Sequence, residues 1–419
     1  VIPFLTQRDV EASLWQSAVD AAVASTAAAA TPLPTQQNPF ARLGAVAAAA
    51  LSHFEPAAAP APPPSLDPTH LGIIAANVAH SFSGDEDQFR EALRITKFGQ
   101  FDPLWLEAAV NYLRFLRFSR KDVPYRPYDQ LGNFVIDDKL PARARIALVS
   151  DWGTGQPEAV EVLKQIAAHQ PHVVIHLGDI YYSGQLQEVQ DRFWQPWHSV
   201  LDLNTVATFT LSGNHDMYSG GKGYYFLLDK LQQPASYFCL RNKDWQFIAV
   251  DTGLFSGVLS TEVTRLHDDE PEWVIDKVTN ADGRNTVLLS HHPLFSAFEK
   301  IGDQGDGINH ELLKQLKDVL PELTAWFWGH EHDLAIYDTF LGIRARCIGH
   351  GAIPVTQAGR PLPNPNLGMT VLAPQTPLGM TGDFYNHGYA LIDLDGPAAH
   401  VRYFQSSDPD NPQHEEDLA

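Results

Sequence analysis

Five short apolar runs, each ending in a turn that carries metal-capable side chains, constrain this chain more than any other feature. ARIALVS (144–150) is followed by Asp151, and HVVIHLG (172–178) by Asp179. TVATFTLSG (205–213) leads into Asn214, His215 and Asp216, NTVLLS (285–290) into His291 and His292, and TAWFWG (324–329) into His330, Glu331 and His332. Runs of this length and β-rich composition read as strands of a sheet covered on both faces. Helical stretches such as 158–169 alternate with them, WQFIAVD (245–251) adds a strand, and two runs within 388–405 form a closing pair around an Asp-Gly turn. The pattern predicts an α/β sandwich with sheets inside and helices outside. Such sheets place ligand sites at the carboxyl ends of their strands. One Asp or His there is ordinarily a cap or a satisfied polar residue; five blocks together point to a metal site.

The donor types narrow the metal. Taken as ligands, Asp151 and Asp179 offer two carboxylates, His291, His330 and His332 three imidazoles and Asn214 one carboxamide, with the phenol of Tyr182 nearby and no thiolate at these turns. Such an oxygen and nitrogen set suits iron, manganese or zinc. It is too large for one tetrahedral ion and fits two ions sharing a carboxylate, an arrangement common in phosphate-ester hydrolysis.

Composition excludes other classes. Lys and Arg total 29 against 50 Asp and Glu, a net charge of −21 over 419 residues, which argues against a nucleic-acid surface. A small anionic substrate stays allowed, because a metal pair reverses the local potential. Two cysteines, Cys239 and Cys347, exclude a disulfide scaffold and a cysteine-rich metal site. No apolar run reaches the roughly 18 residues of a membrane span. Residues 1–20 lack the basic patch and Leu-rich core of a secretory signal, which fits a cytoplasmic protein or a trimmed mature form. Apolar stripes at helical spacing predict helices near 8–30 and within 71–118, around the Pro-rich stretch 56–64, so 1–130 reads as a helical, Ala/Pro-rich accessory region. A catalytic domain over 140–405 and an acidic tail over 406–419 complete the division.

The blocks Asp151-Trp152-Gly153, Gly178-Asp179-Ile180-Tyr181-Tyr182, Gly213-Asn214-His215-Asp216, Ser290-His291 and Gly329-His330-Glu331-His332 resemble the calcineurin-like metallophosphoesterase superfamily, and within it the purple acid phosphatases. Gly153 stands where many members carry a ligating His, and Tyr182 fits the purple-branch spacing Gly-Asp-x-x-Tyr. The resemblance implies a four-layer α/β/β/α sandwich. It implies that Asp151, Tyr182 and His332 hold ferric iron, that Asn214, His291 and His330 hold a divalent iron, zinc or manganese, and that Asp179 bridges the two.

The implied chemistry is phosphomonoester hydrolysis by hydroxide attack on a small substrate, with His215 as general acid oriented by Asp216. His292, beside a ligand, and Lys222, in the loop Ser219-Gly220-Gly221-Lys222-Gly223, are candidates for phosphate contact. Glu331 should point away from the metals. Phosphodiester or nucleotide hydrolysis with two divalent ions stays open, as does a non-catalytic scaffold on the same fold. The sequence does not state an oligomeric state.

Overall fold

The computed structural model describes Ala108 and residues 122–419, apart from 257–262, 303, 356–361 and 372–377. The helices expected near 8–30 and within 71–118 lie outside the described residues, except at Ala108.

Two sheets stack face to face. One has the order β15-β14-β13-β2-β3-β4, from β2 (Arg143–Val149), β3 (Val173–His176), β4 (Ala207–Thr210), β13 (Gly388–Asp395), β14 (Ala398–Gln405) and β15 (His414–Asp417). The other runs β1-β5-β6-β7-β8-β10-β9, from β1 (Val135–Ile136), β5 (Phe238–Arg241), β6 (Trp245–Ala249), β7 (Asn285–Leu289), β8 (Leu323–Trp328), β9 (Leu334–Ile336) and β10 (Ala345–Ile348). β2, β3 and β4 pair in parallel, as do β6, β7 and β8, so the carboxyl ends of each trio share one edge. The closing pair β13–β14 is antiparallel.

Side-chain alternation builds the layers. Ile146 and Leu148 of β2 meet Val287 and Leu289 of β7 and Phe327 of β8 in the core between the sheets. The intervening Ala147 and Val149 face outward, packing with Ala159, Val162, Leu163 and Ile166 of helix α1 (Pro157–Ala168). On the opposite face, Leu288, Trp326 and Trp328 pack with Trp273 and Val274 of helix α2 (Glu270–Thr279) and Leu312 and Leu316 of helix α3 (His310–Leu316). Strands buried on both faces need the near-continuous apolar runs that the sequence carries. Burying each large aliphatic or aromatic side chain contributes about 1.5–3 kcal/mol. The result is the α/β/β/α order of layers.

The acidic segment 406–419 ends as the edge strand β15, antiparallel to β14. Its Glu416 turns inward to a bidentate pair with Arg346 of β10, both contacts at 2.5 Å, tying one sheet to the other. Among the described residues, no helix is long and apolar enough to cross a membrane.

Candidate metal centre

The parallel edges of the two sheets converge on one cluster. The turns after β2, β3 and β4 bring Asp151, Asp179 and Asn214; those after β7 and β8 bring His291, His330 and His332. Asp151, Asp179 and His330 carry left-handed backbone, with φ of 56°, 76° and 67°. A non-glycine residue there costs on the order of 1–3 kcal/mol, and such strain gathers at functional sites. Gly213 is fixed by space: a Cβ there would lie 2.7 Å from Asp179 Cγ and 2.8 Å from its backbone nitrogen.

His291 sits at the centre. Its Nδ1 meets the Leu177 carbonyl at 2.9 Å, and a carbonyl can only accept, so Nδ1 donates and the neutral ring leaves a lone pair on Nε2. Facing that nitrogen are Asn214 Oδ1 at 3.2 Å, His330 Nδ1 at 3.2 Å and Asp179 Oδ2 at 3.3 Å. The Asn214 amide nitrogen donates to Tyr218, which fixes its oxygen toward His291. Asp179 Oδ2 is buried without a hydrogen-bond partner. Donor atoms of Asp151, Asp179 and His291 lie within 4.8 Å of one another, as do those of His291, His292 and His330.

On the other flank Asp151 accepts from the His330 backbone at 3.0 Å and lies 3.3 Å from His332 Nε2. Burial opposes its charge, and the hydrogen bond from His332 prevails, lowering its pKa. The phenol at this flank is Tyr181, not Tyr182. Tyr181 donates to Asp151 Oδ1 at 2.9 Å and lies 3.0 Å from His332 Nε2. The Tyr182 ring instead lies under the Arg192 guanidinium at 4.8 Å. The segment is clamped from behind: Glu188 accepts from the backbone N–H groups of Tyr182, Ser183 and Gln185, and Arg192 donates to the Tyr181 carbonyl. That clamp fixes which of two adjacent tyrosines faces Asp151, and the motif spacing alone does not carry it.

The expected His215–Asp216 pair is replaced by two separate contacts. His215 Nδ1 donates to the Tyr182 carbonyl at 2.6 Å, with Nε2 4.0 Å from Asp179 Oδ2. Asp216 folds back to accept from the N–H groups of Gly213 at 2.7 Å and Asp179 at 2.9 Å, the reach of a carboxylate in a helix's first turn. Burial and the neighbouring Asp179 push its pKa up to about 8, against those two donors. Glu331 turns away from the cluster to the hydroxyls of Ser296 and Tyr337. Lys222 is exposed at the start of the helix Lys222–Leu231, and no hydrogen bond or ion pair among the described residues ties it to the cluster. The turn after β6 was not singled out by the sequence reading. There Asp251 accepts from Ser212, two residues before Asn214, and Thr252 contacts His292. Without a His or a Gly-Asp pair, that turn gave no signal beyond Asp251 at a strand end.

Residues 144–334 match the family model described as calcineurin-like phosphoesterase. No curated protein matches the chain. Among solved structures it is similar to GAP50, the anchor in the inner membrane complex of Plasmodium, at 16% identity over 65% of this chain and 88% of that one, with a TM-score of 0.44. It is also similar to a dimetal phosphatase from Danio rerio, at 12% identity over 66% of this chain and 98% of that one, with a TM-score of 0.44.

Proposed function

We propose that this calcineurin-like phosphoesterase domain is a two-metal phosphatase that hydrolyses small phosphomonoesters, in the manner of the purple acid phosphatases. One observation carries the reading. The buried, unpartnered Oδ2 of Asp179 faces the unprotonated Nε2 of His291, and Asn214 Oδ1 stands against the same nitrogen. Lone pairs crowded together away from water are costly unless a cation joins them.

Asp151, Tyr181 and His332 would hold ferric iron; Asn214, His291 and His330 would hold a divalent iron, zinc or manganese; Asp179 would be shared. When bound, the two ions supply Lewis acidity, lowering the pKa of a water and neutralising charge that builds on the phosphoryl group.

The chain supplies the rest. Asp216 holds the amides of Asp179 and Gly213, which keeps the shared carboxylate and the Asn214 turn in register. Misplacement by about 1 Å at such a site costs on the order of a hundredfold in rate. His215, held at Nδ1 by the Tyr182 carbonyl, carries on Nε2 the proton that the leaving oxygen takes. Lys222, exposed at the start of its helix after the Asn214 block, adds a positive charge for an anionic substrate.

Metal analysis of the purified protein, with hydrolysis of an aryl phosphate and of the matching diester, tests this. Two ions per chain, monoester turnover ahead of diester turnover, and loss of both ions and turnover in Asp179→Asn are expected. Fewer than about one ion per chain with no hydrolysis, or a preference for the diester, would overturn it.

A further inference from the structure

Thr252 makes two contacts with one residue. Its Oγ1 lies 3.0 Å from the backbone nitrogen of His292 and 3.0 Å from His292 Nδ1. Both residues are buried. A backbone N–H can only donate, so Oγ1 accepts the first contact. The hydroxyl has one proton, and no other acceptor for it exists among the described residues. If Nδ1 were protonated, that buried O–H would be left unmade, at a cost of about 1–3 kcal/mol. The hydroxyl therefore donates to Nδ1, and the ring proton of neutral His292 resides on Nε2.

A protonated Nε2 cannot ligate a metal. It can donate to an anion, and it has no acceptor among the described residues. The ring stands 4.2 Å from that of His330 and 4.8 Å from that of His291, beside the cluster. We propose that Thr252 is a positioning residue that commits His292 to donating a hydrogen bond from Nε2 to a phosphoryl oxygen, and withholds it from the metals. The proposal rests on the phosphatase reading for the identity of the anion; the tautomer rests on this chain alone.

The test uses the full chain and three variants: Thr252→Val, which removes the hydroxyl at similar volume, Thr252→Ser, which keeps it, and His292→Ala. Nitrogen NMR of the imidazoles in metal-free protein, at a pH of about 8 where imidazoles are neutral, reads the tautomer, with His292→Ala assigning the signal. The expected spectrum has His292 protonated at Nε2 in wild type and Thr252→Ser, and a mixture of tautomers in Thr252→Val. Competitive inhibition by orthophosphate should weaken about tenfold in Thr252→Val and His292→Ala, the loss of one hydrogen bond to a charged group. Thr252→Ser should restore it, and His292→Ala should keep two ions per chain. A wild-type His292 protonated at Nδ1, loss of one ion in His292→Ala, or wild-type phosphate binding in Thr252→Val would each overturn the proposal. A wild-type chain with the expected tautomer that binds neither metal nor phosphate would refute the phosphatase reading, and with it the role of His292 toward phosphate.

Discussion

Gly213→Ala is the smallest change that should dismantle the centre while sparing the fold. The added Cβ would sit 2.7 Å from Asp179 Cγ and 2.8 Å from Asp179 N, with Oδ1 nearer still. Unstrained carbon contacts lie at about 3.5–4.0 Å, so the two groups must part by roughly 0.8 Å or more. Neither side yields freely. Gly213 N is held by Asp216, and Asp179 Oδ1 accepts from the His215 backbone at 3.0 Å. Metal ligands tolerate errors of about 0.2 Å, and a misplacement near 1 Å costs roughly a hundredfold in rate. Breaking the Oδ1 contact costs about 1.5–3 kcal/mol, as for hydrogen bonds to charged groups. The variant should therefore fold with unfolding free energy lower by about 2 kcal/mol, bind fewer than two ions, and turn over an aryl phosphate at least about a hundredfold more slowly. Gly132→Ala is the control, since a Cβ there meets nothing within 4 Å. Circular dichroism, denaturant unfolding and metal analysis read the three effects. A Gly213→Ala protein with two ions at wild-type affinity and undiminished turnover would refute the assignment of Asp179 as the shared ligand.

Other consequences are equally direct. If Tyr181 is the ferric phenolate, Tyr181→Phe abolishes the visible absorption band of the iron-loaded protein and Tyr182→Phe retains it; the reverse outcome restores the spacing-based choice. Glu416→Gln leaves Arg346 buried and unpaired, and denaturant unfolding should show a loss of about 3–5 kcal/mol. Burial opposes the Glu416 charge but Arg346 outweighs it, so the carboxyl titrates below its usual range. The wild-type advantage over Glu416→Gln should be full above about pH 4.3 and shrink as pH falls through the lowered value. His400 behaves oppositely: the Glu415 and Asp417 carboxylates on β15 raise its pKa. Its contribution is full below about pH 6.5 and is lost as pH rises through the folded value, so thermal melts of His400→Gln and wild type should converge at alkaline pH.

The sheets were legible because burial on both faces favours near-continuous apolar runs in β2, β3, β7 and β8, as ARIALVS, HVVIHLG, NTVLLS and TAWFWG show, with buried polar exceptions such as His176, which is paired with Thr210. The convergence of Asp151, Asp179, Asn214, His291, His330 and His332 was legible for a related reason: residues at the carboxyl ends of parallel neighbours share one edge. What escaped the sequence depends on the direction of single side chains in loops. Which of Tyr181 and Tyr182 faces Asp151 is set by the Glu188–Arg192 clamp, which acts through backbone groups that every residue possesses. Asp216 adjoins His215 in sequence, yet in a short helix's first turn its carboxylate finds the free N–H groups of Gly213 and Asp179 before it can reach the imidazole. Thr252 offered no signal, because a hydroxyl after a strand is ordinarily a cap. The acidic composition of 406–419 suggested a tail and concealed that Glu416 faces a buried guanidinium.

The backbone at Asp151, Asp179 and His330 explains why this centre is a cost to the apo chain. Glycine would relieve a positive φ at each position, and glycines do stand beside two of them, at Gly178 and Gly329. The three positions themselves need side chains that can bind a cation, so the strain of about 1–3 kcal/mol each is retained. Against a total stability of about 5–15 kcal/mol, that sum matters. A ligand that binds only the folded chain returns stability in proportion to the logarithm of its concentration over its Kd. On the two-metal reading, strained turns and crowded lone pairs stand on the same side of the balance: both disfavour the empty site, and the free energy of binding two cations would offset both. The β6 turn on the same edge carries a single carboxylate with no imidazole: Asp251 Oδ1 accepts from Ser212 and from the N–H groups of Gly253 and Leu254, while its Oδ2 is buried without a partner.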